Sequence, residues 1–531
     1  MTSPDAPATQ VAPFNGRLAT LLAMAMFVLV VDTSIMNVSI ASVVADIGTT
    51  ASGVQSAIAL EALVSAAFIL IGGKIGDLIG RKRAYVIGLL CYAAGAVAMV
   101  VAQSLIPIII FWAIIGGLGA SLLLPAMQSL IHGNFEGAQQ ARVYALVGAS
   151  SAIAIAIGPL LGGFITTFIN WRVNFALEAV IIAIVLSGIR LVKDVKFTGE
   201  RKVDWIGSLL SVIGMGGIVL SILIWEEGGA GVAGLFVLGI LGLIGLVFWL
   251  RARKRRQKAT LLDPALFSAK PFRLGVSQQL LQQIALGGTM IVIPLYLQMV
   301  LEYSAFLAGL TLTPLSLTMF AVAAIMGKRV GKRRPAAVIR LGFHLLLLGL
   351  IILLPIVPRA DTGWWLVVPL LIAGAGLGLL VSQLNNYTLS PISDERVSEA
   401  ASVNSAAGSF GLSFGLAFGG AILLASLSLV FTGLSNSSSV LAVDQKEQVA
   451  QVLEEDAQIL SNTQLDALLD EQPQEIQDEI IRINTEARPI ALQLALLVPI
   501  IAALLGLINS FRMMRLPDPK PSSAAEGMLL G

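Results

Sequence analysis

From residue 18 to residue 511 the chain is a succession of apolar stretches, each about 20 residues or longer, separated by polar joints. A helix of that length crosses the roughly 30 Å hydrocarbon core of a bilayer. Within lipid every backbone N–H and C=O must be satisfied inside the segment, so the pattern admits an all-α integral membrane protein. The spans read 18–44, 53–73, 84–104, 106–130, 142–168, 173–192, 206–225, 231–250, 273–300, 306–327, 336–356, 364–387, 398–431 and 489–511. Composition agrees: the 531 residues are 56% hydrophobic and only 12% charged, where soluble domains carry about 25% charged residues.

Charge placement orients the spans. Alternate joints carry Lys74 and Arg81–Arg83, then Lys193, Lys196, Arg201 and Lys202, then the run "RARKRRQK", then Lys328–Arg334. Such joints are expected on the cytoplasmic side. An even number of spans then puts both termini there, in the cell membrane. The N-terminal "MTSPDAPATQVAPFNGR" lacks the basic region and short apolar core of a cleaved signal, so the first stretch is expected to remain as a span. Cys91 is the single cysteine, and His132 and His344 stand in no metal-binding pattern. No metal, cofactor or nucleic-acid partner is expected, no P-loop is present, and nothing points to an enzyme.

The joint "GGKIGDLIGRKRA" is denser in charge than an anchor requires. Beside its basic residues it spaces Gly73, Asp77 and Gly80, and "GKRVGKRR" at Gly327–Arg334 repeats the glycines and terminal basic positions of Gly76–Arg83. Both copies lie between the second and third span of a six-span set if spans 7 and 8 are an insertion. Internal repetition of this kind marks secondary transporters.

In these motifs the sequence resembles the major facilitator superfamily, and within it the fourteen-span drug:proton antiporters of the QacA/EmrB type. The motif G-x-x-x-D-x-x-G-R-K/R is matched by Gly73, Asp77, Gly80, Arg81 and Lys82. "GPLLGG", Gly158–Gly163, matches the fifth-span motif of the exporters, with Gly158, Pro159, Gly162 and Gly163 its marked positions. Asp32 and Thr33 match the first-span motif D-x-T-x-x-N, with Asn37 one position late. One element departs: Ala113 and Gly116 stand where the family has an arginine implicated in proton coupling and a glutamine.

The resemblance implies two pseudo-symmetric six-helix bundles, at 1–192 and 273–531, joined by two inserted helices and a basic linker at 193–272, with an acidic loop at 433–488. It also implies that Asp77, read as opening helix 3 with Arg81 and Arg142 as charge partners, meets the start of helix 13 near Val397–Ala400 as a latch. The expected action is efflux of amphipathic, cationic compounds in exchange for protons, by a monomeric unit in contact with membrane lipids.

Read from the residues alone, Asp32 lies roughly 21 Å of helical rise into span 1. A charge at such depth costs at least about 2.5 kcal/mol. Asp32 and Glu61 are therefore the candidates for carrying the proton, against the plainer role of bonding a neighbouring helix. Glu178 reads as structural, paired with Arg172 or reaching outward. Gly158 and Pro159 are expected to disrupt helix 5. Gln279, Gln282, Gln383, Asn386, Tyr387, Asn404 and Phe410 are candidate cavity residues, against interhelical bonding and core packing. The acidic loop is expected to form short amphipathic helices broken at Pro473. The alternatives are a dedicated exporter of an endogenous metabolite, lipid or antibiotic, and a membrane receptor that transports nothing.

Overall fold

The computed structural model describes residues 14–194, 203–225, 229–327, 333–393, 396–441 and 473–517, with Lys446, Leu465 and Leu469. Fourteen helices in it are long and apolar enough to cross a membrane, and no strand occurs among the described residues. They are α1 (Gly16–Ile47), α2 (Ala51–Ile79), α3 (Arg81–Val101), α4 (Leu105–Asn134), α5 (Gly137–Phe168), α6 (Trp171–Ser187) and α7 (Trp205–Leu223). There follow α8 (Gly229–Arg255), α9 (Lys270–Leu295), α10 (Ala305–Gly327), α11 (Pro335–Ile356), α12 (Trp364–Leu389), α13 (Val397–Ser437) and α14 (Gln474–Met514). The start of α1 and the end of α14 thus lie at one face, here called the terminal face.

Local chemistry sets the ends of the helices. Asn15 accepts from the Leu18 N–H at 3.1 Å to start α1, and Gly48, at φ 63°, ends it. Thr50 caps α2 through the Gly53 N–H. Between α2 and α3 stands one residue, Gly80, at φ 100°, a backbone conformation that suits glycine. Large apolar side chains such as Leu90, Phe248 and Ile501 point outward, as expected where lipid rather than water is the solvent.

Helices α1–α6 pack among themselves, as do α9–α14, giving two six-helix bundles. α7 pairs with α8, and α7 also touches α2 and α13 at the edge where the bundles meet. Against the sequence expectation, α2 runs on to Ile79, so Asp77 lies in its last turn and helix 3 begins only at Arg81. The charged joint is helical because Gly80 alone makes the turn. Pro159 does not break α5, which continues to Phe168. The acidic stretch after Pro473 is the first part of α14, which starts 15 residues before the expected span. Most of the loop before it, and Lys328–Lys332 of the second motif copy, lie outside the described residues.

Candidate functional site

Midway along α1, Asp32 is buried at 1% exposure. Tyr92 of α3 donates to its Oδ2 at 2.6 Å, and the Trp112 indole N–H of α4 reaches both carboxylate oxygens at 3.0 and 3.1 Å. Trp112 sits in a π-helical stretch, Ile108–Gly116. The wider turn changes which residues face α1, a feature often found at functional sites. The indole thus supplies a donor to Asp32 beside Ala113, which cannot.

Glu178 of α6 is buried in the same electrostatic neighbourhood as Asp32, and its two oxygens meet no hydrogen-bond donor among the described residues. Glu61 of α2, 8% exposed, adds a third carboxyl to the same electrostatic neighbourhood. No basic side chain of the described residues is ion-paired with these three acids. The expected Arg172 partner is taken: its guanidinium pairs with Asp46, as does the Trp171 indole N–H at 2.9 Å. Glu178 is therefore a member of the acid cluster and not a surface pair. Its signal in the sequence is the helical spacing Asn174–Glu178–Ile182, all buried on one face of α6.

A cavity of about 300 Å³ lies between the bundles. One wall carries Met26, Met127, Gln128, Tyr144 and Ser151, from α1, α4 and α5; the other carries Met319, Phe320, Asn385 and Ser405, from α10, α12 and α13. It extends to Ile131, Leu389 and Ala401, close to helix ends on the terminal face. None of Gln279, Gln282, Gln383, Asn386, Tyr387, Asn404 or Phe410 belongs to this lining. Gln282 is buried in the bundle, Gln279 lies against Gly408, and the Asn404 amide donates to Asn385 at 2.8 Å from behind the wall. Asn386 accepts from the Ser390 hydroxyl, and Phe410 packs against Phe414.

Toward the opposite face the bundles are closed on each other. A β-carbon on Gly163 would fall on the Ala305 carbonyl, and one on Gly309 on that of Pro159. Gly162 and Gly158 press on Ile35 and Ser34 of α1 in the same way. Phe164 and Phe168 ring the Phe306 side chain, whose backbone N–H donates to Thr167 at 2.9 Å. The "GPLLGG" stretch is thus the seam where α1, α5 and α10 meet.

At the terminal face Asp77 pairs with Arg81. An anion at a helix C-terminus opposes the helix dipole, and Arg81, one turn on, offsets that. The N-terminus of α3 is capped by Asp194, which accepts from the Lys82 N–H at 3.0 Å, while the Lys82 ammonium holds the Val192 carbonyl at 2.7 Å. Gly73 lies against Pro125 of α4. The expected partner Arg142 instead stacks on Phe14 at 4.6 Å. Near Val397–Ala400, the other expected neighbour, the contact is apolar: Ile69, Leu70 and Ile71 of α2 share a buried cluster with Val397 and Ala400.

Two six-helix bundles, sealed at one face around a cavity that reaches the other, define a membrane transporter. The description of the Major Facilitator Superfamily matches residues 22–205 and 203–420, and the chain belongs to that family. It is 28% identical over 453 residues to a probable actinorhodin transporter of Streptomyces coelicolor, covering 83% of this chain and 77% of the relative. It is 25% identical over 400 residues to the multidrug export protein EmrB of Escherichia coli, covering 73% and 77%. In fold it is similar, with a TM-score of 0.59 and 15% identity, to an inward-facing, unoccupied bacterial homologue of the human lysosomal transporter Spinster, over 96% of this chain and 100% of that one.

Proposed function

We propose that the protein exports small amphipathic molecules across the cell membrane in exchange for protons, the cavity opening alternately to the two faces. On this reading the terminal face, which carries the basic joints, is the cytoplasmic one, and the cavity faces the cytoplasm, where an exporter loads. Residues 1–192 and 273–531 move as the two halves, with 193–272 as an inserted unit. A single chain suffices as the transport unit.

The observation that carries the reading is the cluster of three buried acids, Asp32, Glu61 and Glu178, with no ion-paired cation among the described residues. Ionisable groups held at such depth without a paired cation are suited to taking up and releasing a proton. α1 and α4 carry part of this site (Asp32, Trp112) and part of the cavity wall (Met26, Met127). A change of protonation therefore acts on helices that also form the substrate chamber. The seam at Gly158–Gly163 is the outer gate, and the Asp77–Arg81 pair with Gly80 is the inner hinge. The names of the relatives, a probable actinorhodin transporter and a multidrug export protein, support efflux.

The test is export from proteoliposomes with a pH gradient imposed or collapsed. Export that depends on the gradient supports exchange. Export unchanged after collapse of both pH gradient and membrane potential removes it.

A further inference from the structure

The acids and the substrate chamber occupy different places. Asp32 turns toward Tyr92 and Trp112, and α3, which carries Tyr92, contributes nothing to the chamber wall. Among the described residues the wall contains no Asp, Glu, Lys or Arg. Its polar groups are all neutral: Gln128, Tyr144 and Ser151 on one side, Asn385 and Ser405 on the other. Between them stand three methionines, Met26, Met127 and Met319, and the ring of Phe320.

We propose that the transported substrate is an uncharged amphipathic molecule with an aromatic or polycyclic body and a few hydrogen-bonding groups, and that cations are disfavoured. An ion leaving water for this chamber forfeits its hydration and meets no opposite charge, a loss that a neutral molecule does not suffer. The rings of Phe320 and Tyr144 attract a desolvated cation, but that attraction falls short of what the ion loses with its water. Thioethers are polarizable and adapt their shape, and suit flat aromatic ligands of more than one outline. Amide and hydroxyl groups on both walls can bind carbonyl or hydroxyl groups at either edge of such a body, and about 300 Å³ is at the small end of drug-sized sites. Coupling is then indirect: proton and substrate do not compete for one carboxylate, but act through α1 and α4.

This inference rests on the exporter reading, and its test separates the two. The purified full-length protein in lipid nanodiscs is titrated with several tricyclic aromatic compounds, each paired with its quaternary N-methyl derivative, and the same pairs are followed in proteoliposomes. The neutral members are expected to bind at least tenfold more tightly, about 1.4 kcal/mol. Asn385→Asp keeps the acceptor for Asn404 and adds a charge to the wall; it and Gln128→Glu, in the other bundle, are expected to shift the preference at least tenfold toward the cations. Equal or tighter binding of the cations by the unaltered protein, or no shift in folded forms of both variants, overturns the proposal. Gradient-driven export of the cations alone overturns it while leaving the exporter reading intact. If no pair binds or moves, both readings fall.

Discussion

Tyr92 donates a 2.6 Å hydrogen bond from α3 to Asp32 on α1, and the same carboxyl faces Glu178 on α6. Trp112 of α4 donates to the same carboxyl, so two donors from two helices fix its orientation. Asp32→Asn preserves the volume and an acceptor for Tyr92 and Trp112 but removes the ionisable group. The expected outcome is at least a tenfold loss of gradient-driven export in a protein that inserts and elutes normally. Undiminished export by this variant would assign Asp32 a packing role.

Glu178→Gln tests the partner. An amide keeps the volume and the hydrogen-bonding groups of the side chain but can neither take up nor release a proton. Gradient-driven export should fall at least tenfold in a protein that inserts and elutes normally. A purely structural Glu178 would lower thermal stability and leave the gradient dependence of export in place.

The α5–α10 seam depends on the missing β-carbons of Gly163 and Gly309. Gly163→Val would force the Ala305 backbone outward. Overpacking of this kind costs about 1–3 kcal/mol, and it falls on the state in which this face is closed. In a pair of cysteines placed at Thr167 and Phe306, cross-linking should drop in the Gly163→Val background. Unchanged cross-linking would mean that the seam does not bear on the gate.

The joint after α8 is tied to the start of α13. Asp263 pairs with Lys254 at 2.8 Å and with Arg396 at 3.0 Å, while its N–H donates to Glu399 at 2.7 Å. Burial is the largest influence on the Asp263 carboxyl and would raise its pKa, but the Lys254 and Ala265 hydrogen bonds and the charge of Arg396 outweigh it and hold the carboxyl below its ordinary value. A lowered pKa in the folded state means stabilisation that is present above the unfolded value, about 3.9, and is lost as pH falls through the folded value. Asp263→Ala should cost about 1 kcal/mol or less at neutral pH, read as a small drop in melting temperature that vanishes in strongly acidic buffer. A drop that persists there would exclude the charge as its cause.

The fourteen spans were legible because apolar length is a local property of the chain. Positions within them were harder. The polar joint hid the last turn of α2, so Asp77 read as the start of helix 3 when it lies before Gly80. The cavity candidates Asn386 and Asn404 are each one residue from wall residues, Asn385 and Ser405. On a helix one residue is a rotation of about 100°, and polarity alone does not say which neighbour faces inward. Asp32 was singled out by its depth, whereas Glu178 was assigned to Arg172, close in sequence, because nothing local reports that Asp46 claims that arginine. The role of Trp112 depends on a π-helical stretch, which leaves no pattern in the apolar run "IIIFWAII".

The most direct measurement of the central claim is proton movement driven by substrate in proteoliposomes free of any other ion gradient, read with an internal pH dye. An outward gradient of a neutral aromatic substrate is expected to drive protons inward in the unaltered protein, and Asp32→Asn combined with Glu178→Gln to abolish this. Substrate flux without proton movement in the unaltered protein, or proton movement that survives in the double variant, would contradict it.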